Sequence, residues 1–349
     1  MRILIASTES SLSLFESFEF HLKEVGVETK VVDIREYFSI YNIAALNGIP
    51  FPRIAKIIKS FDPDVVLTGE PIFTSLFRGV MKRPLILWLR GDPWQEMDWK
   101  WRRYEVKPDP LSRFRWQFYD ERYFYSIKKV DMIFAVSDWL REKVKKLVRN
   151  VETRTLRYIG DLRGWTEEPP KTSEAHIQVL SVFEYEIIPK ILGWLKFIQV
   201  ARDMRDISFC VAGGGPYLNW VKSKSPSNIT YLDQVPHETV KRLLLDSTVF
   251  VHPSGLDTAG RVIVEASLMS RSVVVSDAGG IPEMVEDGKS GFICALDDKH
   301  SWEEKVRILL TDGNLRAKFG SEGRKKMLEM FDPQTVVKEF VSQIEKSFL

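Results

Sequence analysis

Short apolar runs rich in Val and Ile alternate with longer amphipathic stretches from one end of the chain to the other. Crossover helices linking parallel strands produce that pattern. In the first half it predicts strands at Arg2–Ala6, Glu28–Asp33, Val65–Thr68, Leu85–Leu89 and Met132–Val136. Helices are predicted at Leu14–Val25, Arg53–Ser60 and Trp139–Val148, the last opening on a Ser137-Asp138 cap whose side chains can take unpaired amide protons. The second half repeats the theme, with strands near Gln178–Val182, Ser208–Ala212, Val249–His252 and Val273–Ser276. Between the halves, Gly164 to Glu174 is polar and carries Pro169-Pro170, which neither a helix nor a central strand accepts. From Phe331 on, Val336, Val337, Phe340, Val341 and Ile344 recur at helical spacing. They give a final helix one sticky face that needs burial.

Composition changes this picture little. At 349 residues the chain is long for one core, so two domains with a cleft between them are expected. A hydrophobic fraction of 44%, a charged fraction of 28% and a net charge of +2 describe an ordinary globular protein and give no reason to invoke nucleic acid. The two cysteines, Cys210 and Cys294, end apolar strand-like runs, which points to buried free thiols and a reducing, cytoplasmic setting. The apolar run at the N-terminus is too short for a signal peptide, and no apolar stretch approaches a membrane span. Peripheral contact at the inner face of a membrane stays open.

The chemistry concentrates between His252 and Glu283. His252-Pro253-Ser254 ends a buried strand, a turn carries Asp257 and Gly260, and a helix follows that opens on bare backbone amides. Such a helix start collects negative charge, because its first N–H groups are unpaired and its dipole is positive there. Gly260 leaves the amides of 259 to 262 unshielded. The expected ligand is therefore phosphorylated, with Asp257 and Glu265 bordering its pocket. The bland alternative is a solvated aspartate and a capping glutamate.

Pro253-Ser254, Asp257-Thr258-Ala259-Gly260, Glu265-Ala266, Gly279-Gly280-Ile281-Pro282-Glu283, Asp287-Gly288 and Gly291 occur in that order within forty residues. In this the chain resembles the C-terminal domain of retaining, nucleotide-sugar-dependent glycosyltransferases of the glycogen-synthase-like GT-B type, family 4. The likeness extends weakly through Val211 to Pro216, Asn228 to Asp233 and Lys190, and in the first half through Val130 to Ser137. It implies an α/β fold of two Rossmann-like domains facing a central cleft. The domains would be 1–165 on the acceptor side, 166–331 for the nucleotide sugar, and a helix 332–349 crossing back to the first. It implies further that Glu265 binds the donor ribose and that the backbone from Thr258 through Ala259, Gly260 and Arg261 to Val262 faces the diphosphate and sugar. Lys190 would meet phosphate, and Gly213, Gly214 and Asp233 would complete the donor site. Asp257, one methylene shorter than the family's glutamate, would meet the transferred sugar as the catalytic carboxylate.

Three departures from the family matter. An arginine six positions before the lysine is replaced by Glu184, which repels a diphosphate; Arg261 is expected to restore the lost charge. The first loop reads Ser7-Thr8-Glu9-Ser10-Ser11 in place of glycines. The strand at Leu85–Leu89 ends in Arg90-Gly91-Asp92 where many relatives have a histidine, making Arg90 and Asp92 acceptor-side candidates or a structural pair.

The segment 88–125 holds half of the tryptophans among mixed charges, which favours an aromatic acceptor-side lid or an inward-packed helix over a membrane anchor or a nucleic-acid platform. Asp62-Pro63-Asp64 reads as a turn, and the five histidines show no paired metal spacing, so no metal and no cofactor are expected. Gly213 to Gly215 lack the context of a dinucleotide fingerprint. The expected activity is metal-independent transfer, with retention, from a nucleoside-diphosphate sugar to a glycan, lipid or small-molecule acceptor. The alternatives are a non-catalytic relative that binds a glycan or protein partner, and a nucleotide-sugar epimerase of the same fold.

Overall fold

The computed structural model describes residues 1–7, 9–34, 52–71, 74, 77–78, 81–92, 124–158, 160, 162, 164–169 and 175–349, without the side chains of 9–11 and 52–54. The chain parts into two compact units. One is built on the chain before Leu162 together with Phe331–Leu349, and the other on Leu162–Met330.

In the first unit the described elements are β1 (Arg2–Ser7), α1 (Glu9–Glu24), β2 (Glu28–Asp33), α2 (Pro52–Phe61), β3 (Val65–Thr68), β4 (Leu85–Leu89), β5 (Met132–Ala135), α3 (Asp138–Leu147) and β6 (Glu152–Thr155). The strands pair in parallel in the order β2-β1-β3-β4-β5-β6. The three central strands VVLT, LILWL and MIFA are buried at every position, as strands covered by helices on both faces must be. The edge strand β6 has the sequence ETRT and stood outside the apolar pattern because it lies at the sheet margin. Ser137 caps α3, its Oγ accepting the Leu140 amide at 3.3 Å. Asp62 and Asp64 make a turn: Asp62 takes φ 47°, pairs with Arg2 and Arg83, and Asp64 accepts the Arg2 amide at 2.7 Å.

The second unit runs β7 (Ile177–Val182), α4 (Ile188–Asp203), β8 (Phe209–Ala212), α5 (Leu218–Lys222), β9 (Ile229–Tyr231), α6 (His237–Leu245), β10 (Ser247–His252), α7 (Arg261–Leu268), β11 (Ser272–Ser276), α8 (Ile281–Met284), β12 (Gly291–Cys294), α9 (Lys299–Thr311) and α10 (Gly313–Met330). Its parallel sheet is ordered β12-β11-β10-β7-β8-β9. The chain steps outward from β7 to β9, then returns to the other side of β7 with β10. Loops leaving the carboxyl ends of β7 and β10 therefore diverge and open a crevice, where ligands of doubly wound sheets sit. Each unit is thus Rossmann-like, and together they have the GT-B architecture.

The last helix, α11 (Pro333–Phe348), belongs to the first unit. Val336, Val337, Phe340 and Ile344 are buried there, with the Phe340 ring 5.2 Å from that of Phe18 and 5.1 Å from that of Phe134. Both cysteines are free thiols, Cys294 buried and Cys210 half-buried. Among the described residues no helix is long and apolar enough to cross a membrane.

Candidate functional site

The crevice at the switch between β7 and β10 is a cavity of about 620 Å³ formed within the second unit. Three strand ends supply it: Val182 to Glu186 after β7, Ala212 to Gly215 after β8, and His252 to Asp257 after β10. Lys190, Gln234, His237, Arg261, Val262 and Glu265 close it.

Asp257 sits in the turn before α7. Its Oδ1 accepts the amides of Ala259 at 3.2 Å and Gly260 at 2.9 Å, and its Oδ2 lies 3.3 Å from Nε2 of buried His252. Burial pushes the Asp257 carboxyl up, but the hydrogen bond and charge of His252, the charge of Lys190 and the Gly260 amide overcome it and hold the group below the usual carboxylate range. The other imidazole nitrogen, Nδ1 of His252, is buried without a hydrogen-bond partner.

Two glycines shape this turn. Gly260 is the N-cap of α7 at φ 56° and ψ 49°, the left-handed region that a side chain at that position disfavours. Gly279, at φ 62°, lies so close to the Asp257 backbone that a Cβ there would come within 2.1 Å of the Asp257 carbonyl oxygen, while the neighbouring Gly280 amide donates to that oxygen at 2.8 Å. The Gly-Gly turn therefore clamps the aspartate's loop from behind.

The amides of 259 and 260, expected to be open, are engaged by the Asp257 side chain. Those of Arg261 and Val262 donate to no protein acceptor among the described residues. Glu265, one turn into α7, has a side chain only 2% exposed, and its Oε1 accepts from Arg261 Nε at 2.8 Å and lies 2.9 Å from His237 Nε2. Both contacts fall on one oxygen; Oε2 has no protein partner among the described residues. His237 in turn packs on Trp165, ring centroids 4.9 Å apart. Arg261 thus lines the cavity with its Nε paired to Glu265.

Lys190 lies in the first turn of α4, which is fixed by a Gly255 amide to Lys190 carbonyl bond of 3.2 Å. Its Nζ is 3.9 Å from Oε2 of Glu184, a side chain 69% exposed. Gly213 and Gly214 line the cavity; Gly213 takes φ 146° and presses against the Phe183 carbonyl. Thr258, Ala259 and Gly260 form the turn behind the lining. Asp233 stands apart from the lining, its carboxylate paired with Lys222 and its carbonyl accepting the Gly213 amide at 2.7 Å. It supports the glycine loop through its backbone.

In the first unit, Arg90 is half-buried over the Phe15 ring at 5.7 Å, and Asp92 is fully buried and paired with Lys143. The Asp92 partner is a lysine on α3 that the sequence did not single out. The aromatic segment 93–123 lies outside the described residues, as do Thr8 and the side chains of Glu9 to Ser11. Neither His252 nor His237 is marked by the sequence as a site residue, since the histidines show no paired metal spacing. Their places, at the last residue of the strand before the motif and the first of a helix, were the available signals.

Comparison with known proteins fits this geometry. Residues 193–326 match the model of the family Glycosyl transferases group 1. Alpha-maltose-1-phosphate synthase of Mycolicibacterium smegmatis is 25% identical over 234 residues, 59% of this chain and 60% of that protein. The matched stretch thus spans three fifths of that relative's length. Two solved structures share the fold along the whole chain. They are sucrose-phosphate synthase of Thermosynechococcus elongatus (TM-score 0.72, 12% identity, 100% and 99% of the two chains) and Anabaena HepE in complex with UDP-glucose (TM-score 0.69, 15% identity, 99% and 100%).

Proposed function

Proceeding from a second half whose residues 193–326 match the model of the family Glycosyl transferases group 1, we propose that the protein moves a sugar from a nucleoside-diphosphate donor to a glycan, lipid or small-molecule hydroxyl, with retention and without a metal. The observation that carries this reading is the buried Glu265, whose Oε1 is occupied by His237 and Arg261 while Oε2 has no protein partner among the described residues. A carboxylate on a nearly buried side chain, with one oxygen kept acceptor-ready, suits a vicinal diol such as ribose. The amides of Arg261 and Val262, with Lys190, supply positive charge where the diphosphate would lie.

In the reaction the bond between the anomeric carbon and the diphosphate oxygen breaks, and the acceptor oxygen bonds to that carbon on the same face. The acceptor proton passes to the departing phosphate. Lys190, Arg261 and the helix amides stabilise the charge developing on the leaving group. Asp257 works through position: it holds the turn that aims those amides, and its negative charge favours positive charge on the sugar ring.

A thermal-shift screen of UDP-, GDP- and ADP-sugars tests the reading. A ligand at a hundred times its dissociation constant stabilises by about 2.7 kcal/mol, so one base should raise the melting temperature by several degrees. No shift with any nucleoside diphosphate would refute donor binding. A second reading, a relative that binds without transferring, is favoured by one contact, Glu184 beside Lys190 at 3.9 Å, which weakens the phosphate grip. It predicts nucleotide stabilisation without donor turnover.

A further inference from the structure

The larger cavity of the second unit is not the one that holds the motif. About 960 Å³ in volume, it lies at the amino ends of β10 and β11, where Ser247 and Ser272 begin those strands. Strand β10 runs from this cavity to His252 in the other, five residue steps or about 17 Å. Four cations line the amino-end cavity, Arg271, Arg316, Arg324 and Lys325, against two acids, Glu168 and Glu329.

The arginines are moored by backbone carbonyls. Arg271 donates to Met269 and Ser247 carbonyls at 3.0 and 2.9 Å, Arg316 to those of Leu309 and Leu310 at 2.7 and 2.9 Å, and Arg324 to those of Leu268 and Thr166. Carbonyls orient a guanidinium without neutralising it. Among the described residues Arg271 and Arg316 form no ion pair, and Arg324 meets only the exposed Glu168 at 3.4 Å. Burial pushes the Arg271 guanidinium below its ordinary value, and the neighbouring charge of Arg316 pushes it further. The Oγ of Ser272, on the same wall, is buried without a hydrogen-bond partner.

We propose that this arginine-lined cavity binds a phosphate-bearing ligand at a site separate from the donor crevice. Fixed, mutually repelling guanidiniums are relieved by a multivalent oxyanion whose oxygens accept their remaining N–H groups. The cavity is larger than a lone phosphate needs and accommodates a phosphorylated sugar. The donor crevice has the opposite balance, four acids (Glu184, Glu186, Asp257, Glu265) against Lys190 and Arg261. A small polyanion without a nucleoside therefore prefers the amino-end cavity, whatever donor the crevice takes.

The test is calorimetric titration of the full chain with inorganic pyrophosphate and with glucose 6-phosphate, at ionic strength matched with chloride. Wild type, Lys190→Gln, Arg316→Gln and Lys325→Gln are compared. Saturable binding that survives Lys190→Gln and weakens at least tenfold in Arg316→Gln supports the site; a preference for glucose 6-phosphate over pyrophosphate identifies the sugar-bearing source. Binding lost in Lys190→Gln and intact in Arg316→Gln overturns it, as does heat that tracks ionic strength alone. Should Arg316→Gln fail to fold, Lys325→Gln, at an exposed position, carries the comparison with an expected loss of at least threefold; an unchanged affinity there overturns the site.

Discussion

At the carboxyl edge of the second sheet the key charges are carboxylates held by donors, and at the amino edge they are guanidiniums held by acceptors. Asp257 is pinned by two amides and His252, Glu265 by Arg261 and His237. Arg271 and Arg324 are pinned by carbonyls of the turn that ends α7, at Met269 and Leu268. One short helix explains the contrast. Its first amides point toward the donor crevice and its last carbonyls toward the arginine cavity, so each end stabilises the charge its dipole prefers. The comparison teaches that fixing a charge and neutralising it are separate tasks. Asp257 and Glu265 are fixed by groups that also offset their charge, whereas the arginines are fixed by neutral carbonyls and left in excess.

Breaking the carboxyl edge should have the largest effect. Asp257→Asn keeps an acceptor for the amides of 259 and 260 but removes the negative charge, so sugar transfer should fall about a hundredfold or more while nucleoside-diphosphate affinity changes little. Donor turnover assayed beside calorimetry separates the two. Lys190→Ala removes a charge-assisted contact worth roughly 1.5–3 kcal/mol; nucleoside-diphosphate affinity should drop about tenfold to a hundredfold, measured by titration.

At the amino edge, Arg324→Ala strips the carbonyls of Leu268 and Thr166 of a buried donor. We expect a loss of about 2–4 kcal/mol in urea denaturation, with the nucleotide site retained. Glu184→Gln sharpens the comparison in the other direction. Its side chain is exposed, so relieving its repulsion should improve nucleoside-diphosphate affinity only about twofold to fivefold, less at high salt.

The smallest effect concerns Cys294, away from both charge clusters. Burial pushes its thiol up to about 11 from an ordinary value of 9.0. Because the folded chain holds that proton more tightly than the unfolded one, the contribution is intact below pH 9 and lost as pH rises toward 11. Stability measured at pH 8 and pH 10 should fall less in Cys294→Ala than in the wild type.

Much of the frame was legible because burial on both faces writes itself as continuous apolar runs. Strands β3 and β4 have the bounds that their Val and Leu runs predicted. The ETRT strand β6 escaped because a sheet margin tolerates polar residues. In the site, Asp257 and Glu265 could be picked from their spacing around Gly260, and Lys190 and Arg261 from the family resemblance; the structure brings all four to one cavity. Asp233 could not be judged from its place after a strand, since its side chain turns to Lys222 while only its backbone serves the glycine loop. The arginine cavity left no local trace, because its members are scattered from 271 to 325.

The sequence by itself determined the alternation of strands and helices, the two-unit fold and the cluster of acids and glycines around a helix start, because periodicity and φ preferences are local properties. Only the tertiary structure decided which amides Asp257 occupies, which oxygen of Glu265 is left to a ligand, and that cations distant along the chain converge at the opposite edge. Those outcomes depend on the order of strands in the sheet, which brings remote residues together and assigns each end of α7 its neighbours.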